Sequence, residues 1–454
     1  MTEATLLPFD LPAVQRKKLT VDFEGGTQSS DAGLLLLREA ERKLGVCQRL
    51  ADAMPDHRDH SRIRHEMFEL VMARVCAITC GYKDGNDLNH LRHDPLMKVA
   101  VDRCPESGDP LASQSTISRL ENAPRKTDAL RLAGALVDQF GISITPGEEE
   151  ILDIDDAFCT VHGGQQLAFW NGHENERGFS PMHIFHVASG TPVVEILRPA
   201  KTPAGTEVKT VIKHVTRRIR KHWPATRLIW RGDSHYGRDE AMEWAENNGD
   251  GYIFGLAGNR VLDALVAETA NDLRFRHALS TQDKLRCYES FEYQAGSWSH
   301  PRRAVARLEV SLQPDLKEGG MRQEVNIRYV VTSLAGDPQH LYELYCKRGQ
   351  MENLIKLHKA QLASDRTSCH SATANQVRLV LHTASFWLMH AVRSTIPDNH
   401  PFAKAEFATV REKLIKIGAR VIEHVARIRI HLPTSCSEQA LFRHIALGLM
   451  PAVP

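Results

Sequence analysis

Apolar positions recur at helical spacing through the first third of the chain. LLLLREAERKL (34–44) and RHEMFELVMARVCAITC (64–80) read as helices, a short extended stretch LTVDFEGG (19–26) precedes them, and the turn-rich GYKDGND (81–87) follows. The region closes on PLASQSTISRLENAP (110–124), a small-polar turn and then a short helix carrying Ser115, Thr116, Ser118 and Arg119. That is how the reading helix of a helix-turn-helix offers polar side chains to a DNA groove. An N-cap serine before an ordinary surface helix gives the same pattern. Residues 1–148 are read as mainly helical.

From about residue 150 the period switches between two and 3.6. ILDID (151–155), MHIFHVA (182–188) and VVEILRP (193–199) read as strands, with a loop around HGGQQ (162–166) after the first. A helix at about 206–222, a strand at RLIWRGD (227–233), a helix at about 238–247 and a strand at GYIFGLA (251–257) complete an α/β core. RCYESFEY (286–293), AVARLEVSL (304–312) and EVNIRYVVTS (324–333) are alternating segments, so 265–336 is expected to be a mostly β insertion outside the main sheet. Helices then resume at 341–362 and 374–393. The segments are 149–264 and 337–400 for the core, 265–336 for the insertion and 401–454 for a C-terminal region.

Composition adds bounds to this picture. A chain of 454 residues can bury two or three domains' worth of core, and 42% hydrophobic with 25% charged residues is an ordinary globular balance. The net charge of +1 hides a basic run, KHVTRRIRKH (213–222), in which Lys213, Arg217, Arg218, Arg220 and Lys221 stand without an acid. Such a run is a candidate phosphate-facing surface, although solvated basic helices are common. Nine dispersed cysteines contain no Cys-x-x-Cys, which argues against zinc and for a reducing cytoplasm. No apolar run reaches about 18 residues, so no membrane span is expected.

Chemistry concentrates in acidic residues at the ends of strands. Period two puts Asp153 and Asp155 on one face of the first strand and Asp156 on the other, and its open end favours Asp155 or Asp156. Asp233 follows RLIWRG in the same way. In YELYCKRGQMENLIKLHKAQL (342–362), Tyr345, Arg348, Glu352 and Lys359 fall at about 0°, 300°, 340° and 320° on a helical wheel, one stripe of polar groups. A solvated face with an Arg348–Glu352 pair would also produce it. Carboxylates from two strand ends and one helix form an oxygen-rich set suited to magnesium.

These motifs resemble those of a bacterial DDE transposase of the IS4-related superfamily, closest to the IS1380 family. The spacing Tyr345, Arg348, Glu352, Lys359 matches that family's signature, and LRHDPL (91–96), RGDSHY (231–236), GLAGNR (255–260) and DRTSCH (365–370) extend the likeness over nearly the whole chain. The resemblance implies an RNase H-like catalytic core with a mostly β insertion and a mainly helical N-terminal region for end binding and dimerisation. It implies a catalytic and metal-binding triad of Asp155, Asp233 and Glu352 holding two Mg2+ ions, with Mn2+ as a substitute. Where the family places threonine two positions after the first aspartate, this chain has Ala157. Arg348 would clamp a phosphate, and Tyr345 and Lys359 would hold the transposon end. The partners implied are double-stranded DNA, as terminal inverted repeats and target, and a second copy of the chain in a homodimer. The location implied is the bacterial cytoplasm, with no membrane. The competing expectations are an RNase H-like nuclease without strand transfer and a non-catalytic DNA-binding descendant.

Overall fold

The computed structural model describes residue 7 and residues 12–314 and 321–450, which separate into two compact units. One is Arg125–Thr383; the other joins Met1–Pro124 to Ala384–Pro454. The first boundary therefore falls at 124/125 rather than 148, and the helix Lys126–Ser143 belongs with the sheet-bearing unit.

That unit is built on an eight-stranded sheet. Its strands are β1 Glu149–Asp156, β2 Met182–His186, β3 Pro192–Ile196, β4 Arg227–Gly232, β5 Gly251–Leu256, β6 Lys284–Tyr293, β7 Arg302–Pro314 and β8 Met321–Thr332. They lie in the order β6-β7-β8-β5-β4-β1-β2-β3. β1, β2 and β3 pair antiparallel, as short connections allow, while β1, β4 and β5 run parallel. The parallel pairs need crossovers, which the helices Gly205–Ile219 and Asp239–Asn247 provide. The first buries Val208, Ile212, Val215 and Ile219, a stripe at spacings of four, three and four. This mixed α/β arrangement, a mostly β centre with flanking helices, is consistent with an RNase H-like core.

The segment after β5 departs from the expectation. It opens with helices, Arg260–Leu265 and Ala267–Ala278, and its strands β6–β8 continue the central sheet instead of lying outside it. The junction is the pairing of Tyr329–Thr332 with Leu256–Ile253. Alternation identifies a strand but not its neighbour. Here the inner four residues of β8 are all buried while the outer part alternates, so the same strand is a sheet interior at one end and a solvated ribbon at the other. Around the expected loop at 162–166 stands a small three-stranded sheet of Cys159–Thr160, Phe169–Asn171 and Glu176–Phe179.

The other unit is helical around Met67–Thr79, whose residues from Glu69 onward are all buried. Cys76 and Cys80 are buried there as free thiols, and Arg74 is neutralised by Glu121 at 2.8 Å. The strand in this part of the chain is Gln28–Ser29, just past the expected 19–26, and it pairs with Arg420 and Ala419 of the strand Ala419–His424. Gly33 is required by packing, because a Cβ there would sit 2.3 Å from the Cα of Ile415. Among the described residues no helix is long and apolar enough to cross a membrane.

Candidate active site

Asp155 and Asp233 arrive side by side through sheet register. Ile154 of β1 is paired with Gly232 of β4 in a parallel ladder, so the next residue on each chain is an aspartate on the same face, about 4.8 Å apart at the backbone. Asp155 accepts the Asp156 N–H at 2.9 Å, and Asp233 accepts the His235 N–H at 2.9 Å. Burial, opposed by Arg348 and reinforced by the Asp233 charge, pushes the Asp155 carboxyl up to about 6.

The three aspartates of β1 each have a different arginine. Asp153 is gripped by Arg231 at 2.6 and 2.7 Å, Asp155 by Arg348 at 2.5 Å, and Asp156 by Arg198 at 2.8 Å with the Tyr236 hydroxyl at 3.0 Å. The Arg231 side chain is fully buried and also donates to the Leu344 carbonyl at 2.6 Å. It thereby fastens the helix Pro338–Cys346 to the sheet. Burial raises the Asp153 carboxyl against the opposing pull of Arg231.

The expected single helix over 342–362 is segmented. Pro338–Cys346 runs into a 3-10 turn at Lys347–Gly349, then Gln350–Lys356, then a π turn at Leu357–Gln361. A wheel at constant pitch cannot follow such a change, and the π turn buries two successive residues, Leu357 and His358. The four polar residues are nevertheless individually placed. Tyr345 is partly buried with its hydroxyl against Gly255, where an added Cβ would lie 2.7 Å from it and 2.9 Å from the Ser234 nitrogen. Burial raises the Tyr345 phenol, and a hydrogen bond to Arg348 opposes that rise. Glu352 is exposed, one turn past Arg348, which is about 6 Å along the helix. Lys359 donates to the Phe158 carbonyl just beyond β1. Asp155 and Asp233 offer oxygen donors of the kind a hard divalent cation takes.

The sequence matches the family Transposase DDE domain group 1 over residues 11–453. The chain belongs to that family. No curated protein matches it. Among solved structures, the cryo-EM structure of piggyBac transposase synaptic complex with hairpin DNA is similar with 10% identity and a TM-score of 0.39, covering 94% of this chain and 87% of that one.

Outside the carboxylates, this DDE-family chain separates the basic run into two kinds of residue. Arg217 and Lys221 are exposed and Lys213 is half-buried. Arg218 instead binds Asp138 at 2.6 and 2.8 Å, and Arg220 binds Asp250 at 2.5 Å, so these two guanidiniums anchor the helix within its own unit. Two of the five cations expected to face phosphate, Arg218 and Arg220, thus already hold a carboxylate. Ser115, Thr116 and Arg119 lie on the helix Gln114–Asn122 behind the N-cap Ser113; Ser115 and Arg119 are exposed and Thr116 is half-buried.

One cluster went unread in the sequence. His183, Glu195 and His358 each offer a ligand atom within 4.8 Å of the others and could hold a divalent metal ion. Family membership and this cluster are together consistent with metal-dependent nuclease chemistry. At 1%, 0% and 0% exposure, however, the cluster cannot itself meet a phosphodiester. The signal was a histidine within MHIFH and a glutamate within VVEI, polar residues inside otherwise apolar strands.

Proposed function

We propose that this chain is the transposase of an insertion sequence related to the IS4 superfamily and of the IS1380 type. In this reading it cuts DNA at the element's terminal inverted repeats and joins the resulting 3′-hydroxyls to target DNA. The observation that carries it is the pairing of Asp155 and Asp233 at neighbouring parallel strand ends with Arg348, one turn before Glu352, bonded to Asp155.

Asp155, Asp233 and Glu352 would hold two Mg2+ ions, or Mn2+ in their place, and bound there the ions supply activation of the attacking hydroxyl and neutralisation of charge on the leaving oxygen. Arg348 holds Asp155 until DNA enters and then turns its planar donors to a phosphate. Tyr345 and Lys359 steady the terminal nucleotides from the same side. Lys213, Arg217 and Lys221 contribute phosphate affinity, while Ser115, Thr116 and Arg119 belong to the region that reads the repeat. Two chains bring two ends together as a homodimer.

The test uses the purified full chain, duplexes drawn from the flanks of its own gene, a plasmid target and Mg2+. Cut ends covalently joined to the plasmid are the expected products. Cutting without joining selects the nuclease reading, and binding without cutting selects a non-catalytic descendant. Asp155→Asn, Asp233→Asn and Glu352→Gln should each abolish product while binding persists.

A further inference from the structure

His183 on β2, Glu195 on β3 and His358 on the π turn form a fully buried group in which His183 and Glu195 are poorly served by the protein alone. Both ring nitrogens of His183 and both carboxylate oxygens of Glu195 lack a hydrogen-bond partner. His183 Nδ1 lies against Glu195 Oε2, but off the direction a hydrogen bond would take. Leaving such groups buried and unpaired is costly unless a common partner supplies the missing bonds.

His358 is held by a hydroxyl at each ring nitrogen. The Thr383 hydroxyl donates to the Leu379 carbonyl at 2.9 Å, so at 3.1 Å from His358 Nε2 it can only accept. The proton therefore resides on Nε2, and the Nδ1 lone pair accepts the Ser364 hydroxyl at 2.7 Å, a bond that an ion at Nδ1 would replace. An imidazole whose far N–H is fixed by an oxygen acceptor is the usual outer arrangement around a metal-bound histidine.

We propose that His183, Glu195 and His358 bind one transition-metal dication, with zinc the best fit, as a structural clamp distinct from the carboxylate site. Two imidazole nitrogens and one carboxylate oxygen suit zinc with a fourth position open, whereas magnesium prefers oxygen throughout. Two of the ligands lie 12 residues apart on paired strands and the third, His358, follows 163 residues later, so no short motif announces the set. Their location gives the clamp its purpose. His183 is the register partner of Asp155, Glu195 is the partner of His183, and His358 follows Glu352 by six residues. An ion here would tie the turn after Glu352 to the strands beside Asp155. The competing state is a neutral, metal-free cluster, in which burial pushes Glu195 up to about 8 and both histidines down to about 4.

The experiment uses the full chain, loaded with Zn2+ and dialysed against buffer containing Mg2+, then analysed for zinc and for thermal unfolding. One zinc per chain and a raised melting temperature are expected, both retained in the triple variant Asp155→Asn/Asp233→Asn/Glu352→Gln. Glu195→Gln should lower zinc affinity at least tenfold. Zinc absent from the wild type, zinc lost with the triple variant, or zinc kept unchanged by Glu195→Gln would each overturn the proposal. Should Glu195→Gln not fold, X-ray absorption at the zinc edge of the wild type decides: two nitrogen ligands of imidazole type support the clamp, and an oxygen-only shell refutes it.

Discussion

Asp153 and Asp155 are two residues apart on one face of one strand, yet they stand in opposite energetic positions. Asp153 and Arg231 have side chains 5% and 0% exposed, so neither can leave the pair without stranding a charge in the interior. Removing one partner of such a pair costs about 3–5 kcal/mol. Asp153→Ala should therefore lower unfolding stability by that order in a urea titration. Asp155 keeps partial access, at 15% side-chain exposure, and its arginine is 22% exposed. Asp155→Asn should leave the urea midpoint nearly unchanged while abolishing DNA cleavage, and a large loss of stability there would return Asp155 to a structural role. The sequence made the cluster of acids visible, together with the strand end that carries them. It could not assign the partners, because Arg198, Arg231 and Arg348 reach β1 from three separate segments. His183, Glu195 and His358 were hidden for the same reason, being brought together only when β2, β3 and the π turn pack.

Between elements, the basic helix Gly205–Ile219 and the segment just beyond it illustrate how a charge run divides its work. Arg218 and His222 both bond Asp138, on the neighbouring helix Lys126–Ser143. Burial pushes the Asp138 carboxyl up, but the hydrogen bonds from Arg218 and His222 outweigh it and hold the group below its ordinary value. A depressed carboxylate stabilises the fold above its unfolded pKa and loses that contribution as pH falls through the folded one. Asp138→Asn should thus cost about 1 kcal/mol at pH 7, in keeping with a part-exposed pair, and the difference from wild type should vanish below about pH 3 in thermal melts. A difference that persists there would mean packing rather than charge. Neutralising Lys213, Arg217 and Lys221 together should weaken binding to related and unrelated duplexes alike, and flatten the salt dependence by about one unit per lost phosphate contact. Loss confined to the terminal repeat would move those residues into sequence reading. Periodicity located this helix and the strands of the sheet well. It failed where geometry departs from ideal pitch, at the 3-10 and π turns around Glu352, and where strand pairing depends on a partner about 75 residues away, as for β8 on β5.

Across the whole molecule, Asp155, Asp233 and Glu352 all belong to the contiguous unit Arg125–Thr383, whereas the other unit is assembled from both ends of the chain. Each chain thus carries one set of carboxylates, and an element has two ends. Cutting one end without the other would leave a broken chromosome and no mobile product, so the proposed reaction demands that two sets act in concert. A two-fold dimer provides this most simply, because one self-complementary interface places two identical sites in equivalent positions. The expected assembly is two chains holding two ends, whatever the free chain does alone. Light scattering with short terminal-repeat duplexes in Ca2+, which occupies a hard-cation site while supporting little chemistry, measures its mass directly. One chain per two captured ends would rule out the dimer, and one chain per single end would leave each break independent. Where the dimer forms, a Glu352→Ala subunit with altered end specificity, mixed with an intact partner, shows which chain cuts which end. Cleavage at the end bound by the Glu352→Ala subunit means the partner cuts across the dimer; cleavage only at the intact subunit's end means each chain cuts its own.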